Sequence, residues 1–147
     1  KENNSWLLRI IGNGEDEYLL KEQANLLGIS DRIEFIPVTN EIEKYYQTSS
    51  FYCLSSRFEG FGMVIIEAQS FSLPVISFNC DCGPSDLIED NINGFLVENG
   101  NIDALADTLL MGISLDETHY KKLSNNAKIL SSQFSIDSVL QTWKTIL

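Results

Sequence analysis

Two glutamates and two glycines set close together mark where this chain could do chemistry. Glu59 stands directly before Gly60-Phe61-Gly62, and Glu67 follows, with seven residues between the two carboxylates. Ahead of them Phe51-Tyr52-Cys53-Leu54 is a short apolar run of strand type, and from Met63 onward apolar residues return at helical spacing. Ser55 to Ala68 therefore predicts a strand end, a tight glycine turn and a helix start. The first N–H groups of a helix lack intrahelical acceptors and the helix dipole favours negative charge, so such a turn is an anion site. Gly60 and Gly62 relieve the backbone of Cβ constraints, allowing a sharp turn and a close approach to a ligand. The turn is expected to hold a diphosphate and the sugar attached to it.

Each carboxylate has more than one reading. The helical neighbours of Glu67 at three and four positions are Met63, Val64, Ser70 and Phe71, which predicts a largely apolar face. A carboxylate desolvated there is costly unless it finds donors. A ribose diol would supply two. The alternatives are a backbone N–H or water at a cleft rim. Glu59 can accept hydrogen bonds from sugar hydroxyls or stabilise positive charge developing at a sugar carbon; the alternative is a surface pair with Arg57 or Lys44. Gly12-Asn13-Gly14 has the start of a dinucleotide fingerprint, but Glu17 stands where the third glycine would fall. Glu15, Asp16 and Glu17 would also repel a pyrophosphate. It reads better as a strand-to-helix turn that could still edge a ligand pocket.

The elements that position these residues follow from periodicity. Strands are expected at Trp6 to Ile11, Arg32 to Ile36, Phe51 to Leu54, Leu73 to Phe78 and Phe95 to Val97. Helices are expected at Glu15 to Leu27 with Gly28 as C-cap, Glu41 to Thr48 after an Asn40 N-cap, and Met63 to about Ser72. Pro84 suits the first turn of a short helix at Ser85 to Glu89. Three helices without intervening strands close the chain, at Asn101 to about Leu115, Thr118 to about Leu130, and after Ser135. The last carries Ile136, Val139, Leu140, Trp143, Ile146 and Leu147 on one face. Strands alternating with helices imply an α/β fold, a Rossmann-like parallel sheet with helices on both faces. The apolar run Leu7 to Ile11 predicts a strand buried on both sides. In such sheets ligands bind beyond the carboxyl ends of the strands, here the loops 12–14, 37–40, 55–62 and 79–83.

Composition excludes several functions. With 147 residues the chain is one domain-sized unit. A net charge of -11 argues against nucleic acid and anionic bilayers, since both repel an acidic surface. No apolar run is long enough for a membrane span, and Lys1 to Ser5 has no signal-peptide pattern. Three cysteines fit a reduced, cytoplasmic protein better than a disulfide framework. Cys80 and Cys82 with the single His119 are too few and too poorly spaced for zinc. Cys53 reads as a small buried hydrophobe.

Taken together, the motifs resemble the large family of retaining glycosyltransferases with the GT-B architecture. The likeness rests on Glu59-Gly60-Phe61-Gly62, Glu67-Ala68 and Leu73-Pro74-Val75-Ile76. It continues through Gly83-Pro84-Ser85-Asp86-Leu87-Ile88 and Asn93-Gly94-Phe95-Leu96-Val97. Upstream it takes in Leu8-Arg9-Ile10-Ile11-Gly12-Asn13-Gly14 and Asp31-Arg32-Ile33-Glu34-Phe35, so it covers nearly the whole chain. The resemblance implies residues 1–147 as the C-terminal, nucleotide-sugar-binding domain. Glu59 would contact the donor sugar near the reaction centre. Gly60, Phe61, Gly62 and Met63 would hold sugar and diphosphate through backbone groups. Glu67 would take the ribose hydroxyls, and the loop around Val38 and Thr39 would meet the base, with Gly12 at the pocket edge. The implied reaction moves a hexose-type sugar from a nucleoside diphosphate, UDP favoured, to a glycan or lipid-linked acceptor. It proceeds with retention and without a bound metal or other cofactor.

The chain departs from the family pattern in two respects. Ser72 stands where most relatives have glycine before Leu-Pro, a change expected to affect a helix C-cap rather than chemistry. The family's earlier strand, its loop bearing an arginine and a lysine on the diphosphate, and its N-terminal acceptor domain have no counterpart here. The chain is thus expected to be a fragment of a larger two-domain enzyme, lacking the first strand of the sheet and, in isolation, inactive and weak in donor binding. Any membrane contact would not run through this domain, and a peripheral position of the full-length enzyme at the cytoplasmic membrane face stays open. The alternatives are a non-catalytic sugar-nucleotide-binding module and a sugar-nucleotide epimerase of related fold, for which no further acid/base residue is visible.

Overall fold

β-strands and helices alternate through the first two-thirds of the chain, and helices alone complete it. The structure, a computed structural model, describes residues 6–146. Its elements are β1 (Leu8–Ile11), α1 (Glu17–Leu26), a 3-10 turn (Ser30–Arg32), β2 (Ile33–Ile36), α2 (Ile42–Thr48), β3 (Tyr52–Leu54) and α3 (Met63–Ser70). They continue as β4 (Val75–Asn79), α4 (Pro84–Leu87), β5 (Gly94–Glu98), α5 (Ile102–Ile113), α6 (Glu117–Ser132) and α7 (Ile136–Ile146). Lys1 to Ser5, where a signal pattern was sought, and Leu147 lie outside the described residues. The expected order stands, with element ends slightly shifted. The chain divides into two compact units, Lys1–Ile42 and Glu43–Leu147.

In the first unit β1 and β2 pair in parallel, Leu8 opposite Ile33 and Ile11 opposite Ile36. Among the described residues β1 has no other ladder partner. Leu8 is 50% exposed and the rest of the strand half-buried. The expected burial of both faces of Leu7 to Ile11 is therefore not met among the described residues: Leu7 and Leu8 are exposed, so the strand is incompletely covered. Of Glu15, Asp16 and Glu17, only Glu17 lies in α1, in its first turn, and Asp16 precedes it without a side-chain cap. Leu27 is the C-cap, with Gly28 following in a left-handed conformation. The turn toward α2 is closed by Thr39, whose Oγ1 accepts the Glu41 N–H at 3.1 Å, and not by the expected Asn40 cap.

In the second unit β4 lies between β3 and β5, all parallel, with Tyr52 opposite Val75 and Phe78 opposite Val97. Side chains alternate between the faces of a strand. Ile76 and Phe78 enter a core with Phe95, Val97, Leu105 and Leu123, under α5 and α6. Val75 and Ser77 are buried as well, as are Ile65, Ala68 and Gln69 of α3 and Leu87 of α4. Burying one such aliphatic or aromatic side chain is worth about 1.5–3 kcal/mol, so a central strand covered on both sides is the firmest part of this unit. It fixes the ends of β3 and β4, where the candidate loops begin. Parallel strands alternating with helices give the chain a Rossmann-like α/β fold. In α7 the apolar face Ile136, Val139, Leu140, Trp143 and Ile146 is exposed.

Ser72 closes α3. Phe71 is the C-cap, and Ser72 follows with φ 62°. The Leu73 N–H reaches Ala68 O at 3.1 Å and the Ser72 N–H reaches Gln69 O at 2.9 Å, the paired bonds of a Schellman ending. From α6, Ser124 Oγ donates to Ser72 O at 2.7 Å, and the Lys128 ammonium donates to Ser70 O. A side chain in the left-handed region costs about 1–2 kcal/mol, partly offset by the greater unfolded-state freedom of glycine. Ser72→Gly is expected to stabilise the protein by about 0.5–1 kcal/mol, read as a higher urea midpoint at unchanged slope. An unchanged or lower midpoint would count against this account of the helix end.

Candidate functional site

The turn between β3 and α3 takes the predicted form. Gly62 is the residue before the helix, at φ 83° and ψ 44°, and α3 has no side-chain cap. The Ile65 N–H returns to Gly62 O at 2.8 Å. An L side chain at 62 would be strained, and its Cβ would lie 3.0 Å from Ile65 Cδ1. Gly60 differs: it has no positive φ, and a Cβ there would meet open space. Its lack of a side chain leaves room above the turn without being required by the backbone. Phe61 and Met63 are exposed, and the Phe61 ring stands edge-on to Phe134, centroids 6.2 Å apart, at the junction of α6 and α7.

Glu59 stands before this uncapped helix end and Glu67 one turn inside the helix. Glu59 is half-buried, and among the described residues no hydrogen bond or ion pair engages its side chain, so the expected alternative of a pair with Arg57 or Lys44 does not occur. Its charge is felt nearby: after burial, the largest influence raising the Tyr52 phenol above its ordinary pKa is Glu59, followed by Glu67. Glu67 is exposed, which corrects the expected desolvated apolar setting. The buried stripe of α3 is Ile65, Ala68 and Gln69, and Glu67 projects from the opposite side of the helix. It accepts a hydrogen bond from Tyr46 Oη at 3.3 Å. Nothing in the sequence marked Tyr46, because this contact joins α2 to α3 across 21 positions.

The loop after β4 packs directly on the turn. Cys82 has φ 64° and Gly83 φ 105°. A Cβ on Gly83 would lie 2.1 Å from the Phe61 carbonyl oxygen and 2.5 Å from its carbon. Only a glycine lets the two backbones come this close. Below them, Gln69 Nε2 and Asn93 Nδ2 both donate to Leu87 O at 3.0 Å, tying α3 to the end of α4 in the buried interior. Gln69 Oε1 has no partner among the described residues.

Gly12, Val38 and Thr39 belong to the first unit. The Gly12 N–H donates to Ile36 O at 2.9 Å, extending the β1–β2 ladder into the turn. Val38 is 67% exposed, and Thr39 spends its hydroxyl on the Glu41 amide. Among the described residues no group of three metal-ligating side chains occurs, and no helix is long and apolar enough to cross a membrane.

A Rossmann-like α/β unit with a glycine turn after a parallel strand, one carboxylate before the turn and one in the helix that follows, defines a class, that of the C-terminal domains of GT-B proteins. The chain belongs to the glycosyl transferases group 1 family, whose model matches residues 1–129. It is 41% identical over 147 residues to an uncharacterized glycosyltransferase of Haemophilus influenzae, covering all of this chain and 41% of that protein. It is 30% identical over 142 residues to the amylovoran biosynthesis glycosyltransferase AmsD of Erwinia amylovora, covering 97% of this chain and 40% of that one. The crystal structure of Anabaena HepE in complex with UDP-glucose superposes with a TM-score of 0.85 at 26% identity, over 98% of this chain and 41% of HepE. The chain thus spans about two-fifths of the length of these relatives.

Proposed function

We propose that this chain is the donor-binding part of a retaining glycosyltransferase, moving a hexose-type sugar from a nucleoside diphosphate to a glycan or lipid-linked acceptor. The observation that carries the proposal is the pair of carboxylates, Glu59 before the uncapped N-terminus of α3 and Glu67 one turn inside that helix; among the described residues Glu59 has no side-chain partner and Glu67 has one open oxygen. That end supplies N–H groups and a positive dipole for a diphosphate. Backbone groups of Gly60, Phe61, Gly62 and Met63 would hold sugar and diphosphate. Glu67 would take the ribose hydroxyls. The bond from the anomeric carbon to the diphosphate oxygen breaks as the acceptor hydroxyl attacks from the same face, its proton passing to the departing diphosphate. The helix end stabilises charge on the departing diphosphate, so no metal is invoked. The complex of HepE with UDP-glucose favours UDP as the carrier. An acceptor domain elsewhere in the full-length protein would complete the site, placing acceptor specificity outside these residues.

Calorimetric titration of the full-length protein with UDP, GDP and ADP sugars tests the proposal. One nucleotide class is expected to bind preferentially. Hydrogen bonds to a charged acceptor contribute about 1.5–3 kcal/mol, so Glu67→Ala is expected to weaken nucleotide binding by about 10- to 100-fold. Unchanged affinity would remove the ribose role of Glu67, and no binding of any of the three classes would remove the proposed function.

A further inference from the structure

Glu67 is an exposed side chain on a helix, and an unrestrained glutamate gives up much of its rotamer freedom when a ligand fixes it. Among the described residues its side chain has one hydrogen-bond partner, the Tyr46 phenol, which donates to Oε2 at 3.3 Å; Oε1 receives no protein donor. Tyr46 itself is well fixed. It is 8% exposed, stacked on Phe71 with centroids 5.5 Å apart and planes at 20°, and tilted against Tyr52 at 6.0 Å. The ring is therefore a rigid post and the carboxylate a movable arm resting on it. The separation exceeds the roughly 2.7–2.8 Å usual for an O–H···O bond, so the contact guides the carboxylate without locking it. Burial above all, then the neighbouring Tyr52 and Glu67, hold the phenol protonated well beyond its ordinary range, so it remains a donor throughout the working pH range.

We infer that Tyr46 is a positioning residue for nucleotide recognition: by holding Oε2 it orients Glu67 so that Oε1, and the second lone pair of Oε2, face a ribose diol. The inference rests on the proposed ribose role of Glu67, and its test separates the two. In the full-length protein, UDP and 2′,3′-dideoxyuridine diphosphate are titrated against wild type and Tyr46→Phe. The phenylalanine keeps the stack on Phe71 and removes only the donor. Wild type is expected to favour UDP by at least about 10-fold. Tyr46→Phe is expected to lose about 3- to 10-fold for UDP and nothing for the dideoxy analogue. In a Glu67→Ala background the same substitution is expected to change neither affinity. A variant that keeps the full preference for UDP, or loses both ligands equally, overturns the positioning role while leaving the ribose reading intact. A wild type that binds both ligands alike overturns the ribose reading and the positioning role with it.

Discussion

Glu59→Ala is expected to lower sugar transfer by the full-length protein about 10³-fold while leaving UDP affinity within a few-fold of wild type. The size follows from the charge. A carboxylate about 4 Å from a developing positive centre is worth about 4 kcal/mol at an effective dielectric of about 20, and each 1.4 kcal/mol or so is a decade in rate. The structure leaves Glu59 available for this: it is half-buried, and its side chain has no hydrogen-bond or ion-pair partner among the described residues. A carboxylate already paired with Arg57 or Lys44 would have lost most of its field. Affinity for the bare nucleotide should hold because the proposed contact is with the sugar, a split between kcat and binding that marks a group acting late in the reaction.

Glu59→Gln distinguishes the two roles open to this side chain. Glutamine still accepts hydrogen bonds from sugar hydroxyls but carries no charge. If the charge matters, Gln is as impaired as Ala. If hydroxyl contacts matter, Gln retains most of the rate and only Ala fails. Transfer is measured as nucleotide release with acceptor present; wild-type turnover by Glu59→Ala would show that the proposed reaction centre lies elsewhere.

The turn was legible in the sequence because its determinants are local. The apolar run before it, two glycines and the helical spacing after it specify a strand, a left-handed residue and a helix start without help from the rest of the chain. The β4 strand was legible for a related reason: Leu73 to Phe78 is apolar almost throughout, as a strand covered on both faces must be. The face of α3 was not. Apolar spacing counts Gln69 as a surface residue, yet it is fully buried, its amide donating to Leu87 O. A polar residue held in the interior moves the buried stripe away from where hydrophobicity places it, and so Glu67 was assigned an apolar setting when it is exposed beside Tyr46. The β1 run failed differently: its composition reports the cover the strand can take, not the cover it has, and half of Leu8 is exposed. Tyr46 and the contact of Gly83 with Phe61 depend on long-range packing, which no local pattern encodes.

Gly83→Ala is expected to cost about 2–4 kcal/mol of stability and to weaken UDP binding by more than the loss of folded protein explains. Its Cβ would meet the Phe61 carbonyl at 2.1 Å, and both partners are backbone, so no side chain can swing aside. The φ of 105° adds strain for any L residue. Relief requires the Phe61 peptide to move, and that peptide leads directly into Gly62 and the uncapped amides of α3, the groups proposed to hold the diphosphate. Gly94→Ala provides the comparison. Its Cβ would lie 2.3 Å from Val75 O, a clash of similar size, but at the start of β5 where Gly94 faces Val75, the end of the strands away from the turn. Both variants should melt earlier in urea. Under conditions where each is folded, Gly94→Ala should bind UDP as wild type does, and Gly83→Ala should not. Equal affinities in the two variants would mean that the 79–83 loop supports the fold without shaping the donor turn. Weakened binding confined to Gly83→Ala would mean that a backbone contact between two crossover loops sets the geometry of the site.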